Sequence, residues 1–160
     1  MMKAEMAMLR FGLMLATLPA LRADDPVPFS HKRHAPLKLD CAYCHATSKT
    51  GERASYPEAG VCMACHAQIA AGKPDIQRLA ALPKATAIEP ERSVYMLAEF
   101  AFFSHARHRA AKLDCQKCHG AVWEMEEVTQ VLPMTMKACV ACHRTMHAAT
   151  ACGKCHELGQ

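Results

Sequence analysis

The chain has 160 residues, a formal net charge of +4 and 51% hydrophobic residues, but 29 of those are Ala and 10 are Cys. From Asp24 onward only 8 Leu, 7 Val, 3 Ile and 4 Phe occur, 22 of 137 residues, which is too few for an ordinary side-chain core and, at so small a net charge, unlike a typical disordered chain. The length allows one compact domain or two very small ones, and something other than side chains must fill the interior.

Residues 1–23 read as a cleaved signal peptide. Lys3 and Arg10 stand before an apolar run from Phe11 to Leu21, and small Ala23 ahead of Asp24-Asp25 is the expected cleavage point. The run is shorter than the ~20 residues a bilayer span needs. Glu5 is unusual in such a start, so translation from Met6 or Met8 suits the pattern better, and Arg22 is unusual just before a cut. A short uncleaved anchor is the other reading of the run, and no cysteine lies near it to take a lipid. The expected location is periplasmic or exported.

Five copies of one motif follow, and they use every cysteine. They are Cys41-Ala42-Tyr43-Cys44-His45, Cys62-Met63-Ala64-Cys65-His66, Cys115-Gln116-Lys117-Cys118-His119, Cys139-Val140-Ala141-Cys142-His143 and Cys152-Gly153-Lys154-Cys155-His156. Cys-x-x-Cys-His is the attachment motif of c-type haem. Two thiols three apart lie on one side of a helical turn, where each can add to one haem vinyl group. The adjoining His then stands under the iron as proximal ligand. A disulfide framework would suit an exported chain but would not place a His after every second Cys. Paired Cys-x-x-Cys could make zinc sites of four ligands, but five motifs leave an odd pair and the His unexplained. Thioredoxin-like motifs occur once per domain. Five covalently bound c-type haems are therefore expected.

The remaining histidines are His31, His34, His105, His108 and His147. Five haems with one proximal His each need five distal ligands, and the numbers match without a spare. Met63, Met96, Met125, Met134, Met136 and Met146 are alternative distal ligands, since Met/His ligation also occurs. Most of them are better explained as soft packing against haem faces.

Shifting the chain by 74 positions aligns two halves. Phe29-Ser30-His31 meets Phe103-Ser104-His105, Arg33-His34 meets Arg107-His108, and Leu39-Asp40-Cys41 meets Leu113-Asp114-Cys115. The expected organisation is an N-terminal dihaem module over 24–72, a linker over 73–102 and a C-terminal trihaem module over 103–160. In the linker, Asp75 to Leu82 reads as a short helix punctuated by Pro74, Pro83 and Pro90. Ser93 to Phe103 is expected to lie extended across the second module. Met136 to His147 reads as a helix, with His143 and His147 on one face. The fold class is mainly coil with short α-helices and almost no β-sheet, organised around covalent haems.

Phe-Ser-His-x-x-His some ten residues ahead of Cys-x-x-Cys-His resembles the class III multihaem cytochromes c, small periplasmic trihaem and tetrahaem carriers. The resemblance covers most of the chain after the signal and implies which histidines share an iron. It implies that His31 pairs with His45 and His105 with His119, while His34 serves the haem of His66 and His108 that of His143. By elimination His147 is left for the haem of His156. Five haems, the duplication and a distal His placed after its motif depart from the family pattern.

Haems with two His ligands have no open position and sit at low potential, so an electron carrier is expected and an enzyme is not. A multihaem reductase needs a five-coordinate haem, often marked by an altered motif, and none of the five departs from Cys-x-x-Cys-His. The alternative is a fixed electron-transfer subunit of a membrane respiratory complex or extracellular conduit. After the signal is removed the charge is 16 minus 14, or +2, and ten ionised propionates would turn the loaded chain negative. That argues for other redox proteins as partners, including other multihaem cytochromes, and against nucleic acid or a small-molecule substrate. Lys32-Arg33 and Arg107-His108-Arg109 are read as propionate partners or docking charges.

Overall fold

A computed structural model describes residues 27–157. The signal peptide expected over 1–23 lies outside them. The α-helices are α1 (His31–His34), α2 (Cys41–Cys44), α3 (Ala59–His66), α4 (Pro74–Ala81), α5 (His105–Ala110), α6 (Gln116–His119) and α7 (Met136–Thr145). Single 3-10 turns occur at Ala35–Leu37, Ala46–Lys49, Val122–Glu124 and Cys152–Lys154. Among the described residues there is no strand, and the β contacts are two isolated antiparallel bridges, Glu58 with Ala87 and Ala101 with His156. The mainly coil fold class with short helices is what the structure has.

Such short helices depend on their ends, because isolated helices of this length are unstable in water. The duplicated serines provide the same start twice. Ser30 Oγ accepts from the Arg33 amide at 3.2 Å, and Ser104 Oγ from the Arg107 amide at 3.3 Å. Asp40 caps α2 through the Ala42 amide at 2.8 Å, and Thr135 caps α7 through the Ala138 amide at 3.2 Å. Helix α3 has no capping side chain. Its first amides, of Ala59 and Gly60, instead donate to the carbonyls of Thr86 and Lys84 at 2.8 and 2.9 Å. The approach is close, since a Cβ at position 60 would stand 3.1 Å from the Lys84 oxygen and the Lys84 backbone would have to give by a few tenths of an ångström.

Helix α4 forms where the linker reads as helical. Pro74 occupies the first turn, where a missing N–H costs nothing, and Leu82 is already extended ahead of Pro83. The stretch from Ser93 to Phe103 contains no helix. From it Tyr95 reaches the second half, where its ring packs 4.5 Å from that of His119. Its hydroxyl donates to the Cys118 carbonyl and accepts from the Val131 amide, both at 2.9 Å.

Helix α7 corrects an expectation. It ends at Thr145, two residues short, and His147 adopts a left-handed backbone with φ 53. The Ala148 amide then returns to the His143 carbonyl at 2.7 Å, the helix-ending turn of a left-handed cap. His143 and His147 therefore do not share the helical face the sequence reading placed them on.

Side chains bury little of this polypeptide. Ala59 and Leu79 are the only buried apolar residues among those described, at 1% and 3% exposure, and they lie where α3 packs against α4. Leu79→Ala is expected to cost about 2–5 kcal/mol, the usual range for a buried leucine. Denaturant unfolding of the haem-loaded protein checks this, and a loss below about 1 kcal/mol would show that the α3–α4 contact does not support the linker.

The two halves dock reciprocally. The Lys32 amide donates to the Met125 carbonyl at 3.1 Å, and the Ala106 amide to the Gly51 carbonyl at 3.0 Å. Lys32 and Ala106 are 74 positions apart, and so are Gly51 and Met125, so one bond is made twice with the halves exchanged. Helix α1 thereby packs on the Val122–Glu124 turn and α5 on the Ala46–Lys49 turn. Arg33 reaches across to Glu126 at 3.3 Å.

Candidate haem-binding site

Each His-x-x-His helix presents two imidazoles, and each imidazole faces the histidine of a different attachment motif. Ring centroids of His31 and His45 are 6.4 Å apart, and those of His105 and His119 are also 6.4 Å apart. In both pairs the planes are nearly parallel, at 15° and 13°. His34 faces His66 at 6.1 Å and His108 faces His143 at 6.0 Å. The Phe of each repeat sets these rings. Phe29 stacks on His34 at 4.6 Å and meets His31 edge-on at 4.9 Å, and Phe103 does the same to His108 at 4.4 Å and His105 at 4.8 Å.

Hydrogen bonds select the tautomer. Nδ1–H donates to a backbone carbonyl in His34 (Ser30, 2.9 Å), His45 (Ser55, 2.7 Å), His66 (Ile69, 2.9 Å) and His105 (Glu52, 2.9 Å). The same bond is made by His108 (Ser104, 2.7 Å), His143 (Ala149, 2.6 Å) and His156 (Phe100, 3.3 Å). A ring that donates from Nδ1 while neutral carries its lone pair on Nε2, the atom a metal would take. Burial, and then the neighbouring imidazoles of His45 and His34, push His31 below the ordinary histidine range. Burial does the same to His119, with His105 and His45 adding to it. Both effects favour the neutral, ligating form.

The thiols cluster motif by motif. Burial pushes the Cys41 thiol up, and the adjacent Cys115 thiol adds to the shift. Burial likewise raises Cys44, with Cys62 adding to it, and Cys118, with Cys142 and Cys139 adding to it. Cys139 is raised by burial and then by Cys155.

This donor set fits haem. Two metal–imidazole bonds of about 2 Å, each extended by about 1 Å from nitrogen to ring centre, would put paired centroids about 6 Å apart. The observed 6.0–6.4 Å matches that span. Among the described residues no three His, Cys, Asp or Glu side chains converge on one point. Each imidazole pair would thus offer two nitrogen donors to a haem held between its rings.

The fifth pair is not brought together. His156 packs against Phe100 at 5.8 Å, and Phe102 donates to the Cys155 carbonyl at 2.7 Å. His147 is exposed and has no ring contact with His156. It sits in the left-handed turn that ends α7. Residues the sequence reading did not single out also serve the site: Tyr95, against His119, and the carbonyls of Ser55, Glu52 and Ala149. A carbonyl leaves no mark in a sequence, although Tyr95, one of three aromatics in the linker, was a usable signal.

Two family models match the chain. One, described as the class III cytochrome C family, covers residues 15–87, and the other, described as cytochrome c7 and related cytochrome c, covers residues 101–157. No curated protein matches it.

Proposed function

Because the chain belongs to the class III multihaem cytochromes c, an electron-transfer family with covalently bound haem, we propose that it is an exported pentahaem carrier working between redox proteins. The observation that carries this reading is the set of four imidazole pairs at 6.0–6.4 Å, each joining a free-standing His to the His of an attachment motif. Bound there, haem supplies reversible one-electron transfer at iron.

The chain's own part is to anchor, orient and enclose. Cys41 and Cys44, Cys62 and Cys65, Cys115 and Cys118, Cys139 and Cys142, and Cys152 and Cys155 are the covalent anchors in this reading. His45, His66, His119, His143 and His156 are the proximal ligands. His31, His34, His105 and His108 close the opposite sides, so exogenous ligands are kept from iron and the potentials stay low. The carbonyl partners hold the imidazoles in one tautomer and one orientation. His147 is kept as the ligand of the fifth haem on the histidine count alone. The dihaem module at 24–72, the linker at 73–102 and the trihaem module at 103–160 remain the proposed division. Placement in the periplasm fits the family, and among the described residues no helix is long and apolar enough to cross a membrane.

Intact mass tests the haem number. Protein matured with haem attachment should exceed its polypeptide by five haem masses, with no free thiol. A smaller increment would show that at least one motif is empty and the pentahaem reading wrong.

A further inference from the structure

The sequence order of the motifs is not their order in space. We propose that the five haem stations form one unbranched line in the order His66, His45, His119, His143, His156, with the first two reversed relative to the chain. This deepens the pentahaem reading above and rests on it.

Each link has its own geometric support. His31 and His34 share the single turn of α1 and face His45 and His66 respectively, so these two stations lie side by side. His105 and His108 on α5 do the same for His119 and His143. The centre of the line comes from the reciprocal docking. Helix α1 is bonded to Met125, just past the His119 motif, and α5 to Gly51 and Glu52, just past the His45 motif. Each half thus lays its His-x-x-His helix over the first motif of the other half, which puts the stations of His45 and His119 at the junction. The approximate two-fold relation of the halves then sends His66 and His143 to opposite flanks.

The last link is set by chain length. His143 Nδ1 is tied to the Ala149 carbonyl at 2.6 Å, and Cys152 follows three residues later. Three residues span at most about 11 Å, so the fifth motif stays beside the fourth.

The consequence is a polarity of use. An electron from a reduced donor protein enters at one terminal station and leaves to an oxidised acceptor protein at the other. Each hop oxidises one ferrous centre and reduces its ferric neighbour, with no bond made or broken.

Redox titration of the haem-loaded protein, with each haem followed by its own paramagnetically shifted methyl resonances, tests the order. Oxidising one haem adds a charge that raises the potential of its neighbours, and this influence falls with distance. The haem of His66 should respond chiefly to one other, that of His45. The haem of His45 should respond to those of His66 and His119, and the haem of His156 chiefly to that of His143. A His66 haem that responds most strongly to the haem of His119, His143 or His156 would overturn the order. Fewer than five haem additions by mass in the same preparation would instead overturn the pentahaem reading beneath it.

Discussion

Expressed without haem attachment, the polypeptide is expected to show no cooperative unfolding and no dispersed NMR spectrum. Ordering the backbone costs about 1–2 kcal/mol per residue, and burial of apolar side chains is the usual offset. Here, among the described residues, the polypeptide by itself buries two apolar residues, Ala59 and Leu79, while Phe29, Leu37, Phe100 and Phe102 remain 48–65% exposed. The helices of four to ten residues are too short to persist without tertiary support. Covalent haem would change both sides of the balance, since it would crosslink the chain at each occupied motif and offer apolar side chains a large flat surface to cover. Circular dichroism through a thermal or denaturant ramp measures the effect, with the haem-loaded protein as the cooperative control. A sigmoidal transition in the haem-free chain would show that side-chain packing is sufficient and that the cofactor only decorates a preformed fold.

Replacing His147 by Ala is expected to leave five haems attached and to change only one of them. Four stations already have facing imidazoles, so their haems should stay low-spin and inert to carbon monoxide. The haem of His156 should become high-spin and bind carbon monoxide rapidly in the ferrous state. The structure makes this the most exacting test of the ligand assignment, because His147 is exposed and apart from His156. If all five haems remain low-spin, His147 is not a ligand, and Met146 or a partner chain takes its place. A spectral change at a second haem would break the pairing scheme as a whole.

Much of the chemistry was legible in the sequence because it is local. The Cys-x-x-Cys-His spacing is a covalent requirement of one helical turn. The interval from His31 to His45 equals that from His105 to His119, and both pairs close at 6.4 Å. Repeated Phe29 and Phe103, and repeated Ser30 and Ser104, set the same ring stacks and the same helix starts. The fold class followed from the shortage of large aliphatics, and α4 from its proline-bounded pattern.

What only the tertiary structure decided was how the two halves meet. Their junction is made by backbone donors and carbonyls, Lys32 to Met125 and Ala106 to Gly51, groups that every non-proline residue carries. For the same reason the carbonyls that orient the imidazoles could not be read in advance. The end of α7 depended on one residue, His147, entering the left-handed region, where a non-glycine residue is uncommon. Counting histidines matched His147 to His156, but a count carries no direction, and the two rings make no contact. Side-chain identity determined which groups are candidates to bind. Backbone hydrogen bonds between distant segments, which leave no pattern in the sequence, determined which binding groups are neighbours.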